Sequence, residues 1–134
     1  MVSSEARGVL WEGHNLVVVL APEIMMAALM GAARIDSVAF GYGAGRVVSP
    51  STRSIPGVIA RVNTTTKTIG RDKNQRRTLG TWRFVWTPTA AATYDTLGLL
   101  ASTGQLFAAA NTLPRVELAA NEAVAVAWTI YLRE

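Results

Sequence analysis

The sequence predicts a mainly β fold: a β-sandwich of about six to seven antiparallel strands with one short N-terminal helix and an extended hairpin. Three observations predict it. Only residues 22–33 carry apolar side chains at helical spacing. From residue 35 onward the chain mostly alternates in side-chain character or runs β-branched. Clusters of Gly, Pro and Ser punctuate those runs as turns do. The 134 residues suit a single domain, 1–134, with 1–12 as an N-terminal arm and 58–87 as the extended hairpin.

The elements follow in order. Asn15–Leu20 (NLVVVL) is a short β-branched run that reads as a strand or as the lead-in to a helix. Pro22 suits a first helical turn and Glu23 complements the helix dipole, so Pro22–Ala33 is the best helix, with Ile24, Met25, Ala28, Leu29 and Ala32 as its apolar stripe. Met25, Met26 and Met30 read as packing residues, with an adaptable interface as the alternative. Ile35–Tyr42 is a strand with Val38, Phe40 and Tyr42 on one face, ended by Gly43-Ala44-Gly45 and followed by a long loop around Pro50 and Pro56. Val58–Ile69 reads as one strand of about 40 Å at 3.3 Å per residue. Gly70–Thr78 (GRDKNQRRT) is a polar, basic turn region, and Leu79–Thr87 returns with Trp82, Phe84 and Trp86 on one face.

Beyond the Pro88–Thr93 connection, Tyr94–Ala101 and Gln105–Leu113 flank a turn at Ser102-Thr103-Gly104. The closing run Glu122–Leu132 has no polar face: Val124, Val126, Trp128, Ile130 and Leu132 line one side, while Ala123, Ala125, Ala127, Thr129 and Tyr131 line the other. That pattern predicts a central strand or one covered by another subunit.

Charge is sparse and uneven. Lys and Arg number 13 against 9 Asp and Glu, charged residues are 16% of the chain, and mean hydropathy is +0.25. This composition excludes a disordered tail and predicts more apolar surface than a small monomer hides, hence a homo-oligomer or a place in a larger assembly. Residues 46–83 hold nine basic residues and one acid, Asp72, for +8, while the remainder carries −4. A basic arm lying on the acidic part of a neighbour is the expected use; nucleic acid is the weaker partner expectation. The interface residues expected from this pattern are Arg71, Lys73, Arg76, Arg77 and Arg83 on the arm, with Val124, Val126 and Tyr131 on the closing strand.

Chemistry-bearing patterns are thin. The chain has no Cys, which excludes disulfides and thiolate sites. His14 is the sole histidine and has no nucleophile in an elbow pattern near it, so a local hydrogen bond is its expected role. The nine acids are scattered, with solvated charges or interface partners as their default, and no metal is expected. Gly41-Tyr42-Gly43-Ala44-Gly45 lacks the residues a phosphate loop needs and reads as a strand ending in a glycine turn. Neither a catalytic set nor a cofactor site is expected, so the chain reads as a non-enzyme. The N-terminal residues lack a signal-peptide core, and the apolar stretch Leu16–Ala33 is interrupted by Pro22-Glu23, so no membrane association is expected.

The order of segments carries a resemblance. It runs from Asn15-Leu16-Val17, through Ile35-Asp36-Ser37-Val38-Ala39-Phe40-Gly41-Tyr42-Gly43 and Ser49-Pro50-Ser51-Thr52, to Ile59-Ala60-Arg61. Next come Trp82-Arg83-Phe84-Val85-Trp86, Leu97-Gly98-Leu99-Leu100, Gln105-Leu106-Phe107-Ala108-Ala109 and finally Val126-Ala127-Trp128-Thr129-Ile130-Tyr131-Leu132. This succession, over residues 13–132, resembles short tailed-bacteriophage virion structural proteins. The resemblance implies a non-enzymatic, multi-copy component of the tail, neck or collar, or fibre-attachment region. It further implies a virion location after synthesis in the cytoplasm of an infected bacterium, with copies of itself and other virion proteins as partners. It carries no catalytic residue across. A capsid decoration (cement) protein and a nucleic-acid-binding module using 46–83 are the alternative expectations.

Overall fold

The computed structural model describes residues 1–6, 9–13 and 16–133, with only the backbone described for 9–12, 16, 17, 113 and 133. His14 and its expected hydrogen bond lie outside the described residues, as does Asn15. The fold is a β-sandwich of two antiparallel five-stranded sheets with one short helix. Its described strands are β1 (Val2–Ala6), β2 (Val9–Gly13), β3 (Leu16–Val17), β4 (Ile35–Gly41), β5 (Val58–Asn63), β6 (Thr66–Asp72), β7 (Arg77–Trp86), β8 (Ala92–Ala101), β9 (Leu106–Leu118) and β10 (Val124–Arg133), with α1 at Ala21–Leu29. The first sheet runs β2-β1-β10-β7-β6 and the second β3-β9-β8-β4-β5. Nine strands have five or more residues, exceeding the six or seven expected from sequence.

The alternating pattern is converted into burial as expected. Phe84, Val124, Val126 and Trp128 from the first sheet meet Val38, Phe40, Tyr94, Leu97 and Leu99 from the second. Phe40 anchors this core, 4.6 Å from the Trp86 ring and edge-on to Tyr94 at 5.1 Å. The Tyr94 hydroxyl donates to Ser4 Oγ, and burial raises its pKa. β10 is the middle strand of its sheet, the central position that two apolar faces predict.

Four expectations need correction. First, Val58–Ile69 is not one strand: β5 pairs with β4 in the second sheet and β6 with β7 in the first. The chain crosses between sheets at Thr64-Thr65, where the Thr64 N–H donates to Asp36 O (2.7 Å) and the Thr65 N–H to Arg83 O (2.8 Å). The hairpin therefore spans Thr66–Trp86, and much of the expected turn region is strand, since Asp72 pairs with Arg77. Second, residues 2–6 and 9–13 are strands of the first sheet rather than an N-terminal arm, since β1 pairs with both β10 and β2.

Third, α1 begins at Ala21 and stops at Leu29, four residues short of Ala33. Gly31 at φ +75° takes the left-handed conformation that ends helices. Ala21 and Ile24 are its buried residues, whereas Met25, Met26, Leu29 and Met30 are exposed rather than packed. Fourth, β9 continues through Pro114 to Leu118. Its register with β8 jumps between Tyr94↔Val116 and Thr96↔Asn111, so an extra loop of β9 bulges out and the proline, which has no N–H, is accommodated there.

Asp95 departs from the default of solvated charges or interface partners. It is 4% exposed, and its carboxylate accepts from the Gly43 N–H (2.8 Å), the Gly45 N–H (2.9 Å) and Thr96 Oγ1 (3.0 Å). Burial alone would raise its pKa, but these donors outweigh burial and hold it below the usual value. Asn111 extends the clamp, accepting from the Val48 N–H and donating to Arg46 O. The glycine-rich segment is thus fastened to the second sheet. Behind it, Val18, Ala39, Val48, Ile55, Leu106 and Ala109 form a second apolar cluster.

Candidate assembly interface

The β6–β7 hairpin is built from its turn outward. Asp72 Oδ1 accepts the N–H groups of Asn74 (3.1 Å) and Gln75 (3.2 Å), the local turn that aspartate favours. Arg76 takes φ +52°, and Arg77 Nε lies 3.4 Å from Asp72 Oδ2 across the mouth of the turn. Seven cross-strand pairs, from Thr66↔Arg83 to Asp72↔Arg77, then set which side chains share a face.

One face continues the side that lines the core elsewhere. On β6 it carries Lys67, Ile69 and Arg71; opposite these stand Trp82, Gly80 and Thr78, and then Trp128, Ile130 and Leu132 on β10. Trp82 sits where the second sheet begins, its indole N–H donating to the carbonyl of Ile35, the first residue of β4 (3.1 Å). Beyond that point the core-facing side lies open. Ile69 is 88% exposed and Leu132 55% exposed. Together with Gly80, Trp82 and Ile130 they line a cleft of about 320 Å³. Gly80 contributes by omission, as a Cβ there would lie 3.3 Å from the Trp82 ring.

The expected interface residues divide into four settings. Arg71 lies on the cleft side of β6, flanking Ile69 with Lys67. Lys73 and Arg76 are exposed in the turn. Arg77 faces the opposite side, its guanidinium 3.9 Å from the centre of the Tyr131 ring, so these two make a contact within the chain. Arg83 is exposed on that same outer face, level with Ala127. Val124 and Val126 are corrected: they are 0% and 2% exposed, packed in the core between the sheets, and offer no surface to a partner. Strand alternation identified their face but could not say that the second sheet of the same chain covers it.

Sequence reasoning missed Ile69, Leu132 and the cleft. The available signal was Ile69 itself, an aliphatic residue sharing its face with Lys67 and Arg71. On α1, Met25, Met26 and Met30 are exposed, against their packing reading, because helical spacing marks a stripe without saying what covers it. Among the described residues no helix is long and apolar enough to cross a membrane. Compared with known proteins, the chain matches no family model, no curated sequence and no solved structure.

Proposed function

We propose that this chain is a non-enzymatic structural protein of a tailed-bacteriophage virion. It would be present in several copies in the tail, neck or collar, or fibre-attachment region, assembling through sheet edges and the β6–β7 hairpin. One observation carries the assembly part: the hairpin extends the first sheet past the second and leaves an apolar side uncovered, with Ile69 almost fully exposed. Exposed apolar faces of this kind mark interaction surfaces. The virion part rests on the resemblance of the segment order to such proteins. β6 is also the edge strand of the first sheet, and Lys67 and Arg71 on it discourage indiscriminate pairing.

A nucleic-acid role is the second reading, favoured by the exposed cations Lys67, Lys73 and Arg76 on one hairpin. It is weaker because the aromatic residues that would stack on bases are committed elsewhere: Trp82 to Ile35 and Trp86 to Phe40. Light scattering on the purified chain tests the main reading, with an assembly several times 14.3 kDa expected. A monomer at high concentration overturns the assembly reading. Imaging the intact particle, with the chain labelled, tests its virion location and separates tail from capsid surface. Absence from the particle overturns that part. Single-stranded DNA binding that falls steeply with salt would support the second reading instead.

A further inference from the structure

The hairpin cleft is one uncovered apolar surface among the described residues. Another is the outer side of α1, where Met25, Met26, Leu29 and Met30 lie at helical spacing i, i+1, i+4, i+5 and so form one ridge. Leu29 is 83% exposed and Met30 77% exposed. Val19 and Pro22 continue the apolar surface beside it, around a shallow cavity shared with Pro50.

Charge decides how two copies can use these surfaces. A two-fold contact of hairpin on hairpin would bring Lys67, Arg71, Lys73 and Arg76 of one copy against the same residues of the other, and like charges in contact are costly. The helix presents no such conflict. α1 contains no Lys or Arg, and Glu23 in its first turn is its sole charged residue. Glu23 is exposed one turn before Met26, at i and i+3, and offers a carboxylate to the basic rim. Shape agrees with charge: the ridge is convex and unbranched at its methionines, which adapt to irregular apolar surfaces, and the cleft is concave because Gly80 has no side chain.

We infer that the β6–β7 hairpin cleft of one copy receives the outer face of α1 from a second copy, a head-to-tail contact rather than a two-fold one. This rests on the multi-copy reading above and specifies its contact. A head-to-tail contact uses two different surfaces, so each pair leaves a cleft open on one copy and a ridge on the other, and the assembly grows into a ring or a filament.

Two variants of the full chain separate the surfaces: Ile69→Asp disables the cleft and Leu29→Asp the ridge. Both positions are exposed, and unchanged circular dichroism and melting temperature establish folding. Each variant alone is expected to scatter light as a monomer. An equimolar mixture is expected to reach twice the monomer mass and stop, because one good cleft meets one good ridge. If Leu29→Asp assembles as the unmodified chain does, or the mixture stays monomeric while the unmodified chain assembles, this contact is wrong and the multi-copy reading stands. If the unmodified chain is itself a monomer, both fail.

A second measurement does not depend on disrupting anything. The chain has no cysteine, so Ile69→Cys and Leu29→Cys introduce unique thiols. Mixing the two under mild oxidation is expected to give the mixed disulfide dimer in excess over either homodimer. Dominant linkage between two Ile69→Cys chains would overturn the head-to-tail contact.

Discussion

Asp95 concentrates several residue-scale effects. Its lowered pKa means that its contribution to stability is complete above the unfolded-state pKa, near 4, and is lost as pH falls through the lower folded value. Unfolding in urea at pH 7 and pH 3 should therefore show a larger loss on acidification for the unmodified chain than for Asp95→Asn, whose side chain does not titrate. Equal losses would remove Asp95 from the acid response. Gly57 makes a steric prediction. It holds φ +56°, and a Cβ there would lie 2.2 Å from the Tyr42 carbonyl oxygen, which is backbone and cannot swing away. Gly57→Ala should cost about 2–4 kcal/mol in denaturant unfolding, combining backbone strain with overpacking. The sequence marked Ile55-Pro56-Gly57 as a loop, but the approach of Tyr42 is a long-range contact and leaves no local signature.

At the scale of the element, α1 separates propensity from packing. Pro22 and Glu23 announced a helix correctly, while the face it buries could not be read from the apolar spacing because nearly every position is apolar. Ile24 enters the main core and Leu29 does not. Ile24→Ala should lower stability by about 2–4 kcal/mol, whereas Leu29→Ala should change it by about 0.5 kcal/mol or less. Paired chemical denaturation curves check this, and equal costs would contradict the described orientation of the helix. The β5–β6 split teaches the same lesson for strands. Both segments have β character, yet the change of sheet at Thr64-Thr65 is decided by hydrogen bonds to Asp36 and Arg83, far away in sequence.

For the whole molecule, the distribution of charge and uncovered apolar surface matters more than either total. Six of the nine basic residues of 46–83 lie on the β6–β7 hairpin, while Arg46, Arg53 and Arg61 lie elsewhere, and uncovered apolar side chains occur on that hairpin, on α1 and at Leu132 of β10. An assembly held by an apolar cleft with a basic rim should weaken, without dissolving, as salt rises from about 0.05 M to about 1 M, since screening removes the charge component only. Sedimentation over that range checks it. Complete dissociation would indicate a contact made by charge alone.

The amino-acid sequence by itself determined the β class, the two apolar faces of β10, the start of the helix and a basic turn between two strands, because alternation, helical spacing and turn residues act within a few residues of one another. Only the tertiary structure decided which sheet each strand joins, which helix face is buried, that Val124 and Val126 are core, and that Ile69 is bare. Those outcomes depend on what packs opposite a residue. Partners distant in the chain settle that, and no local pattern encodes it.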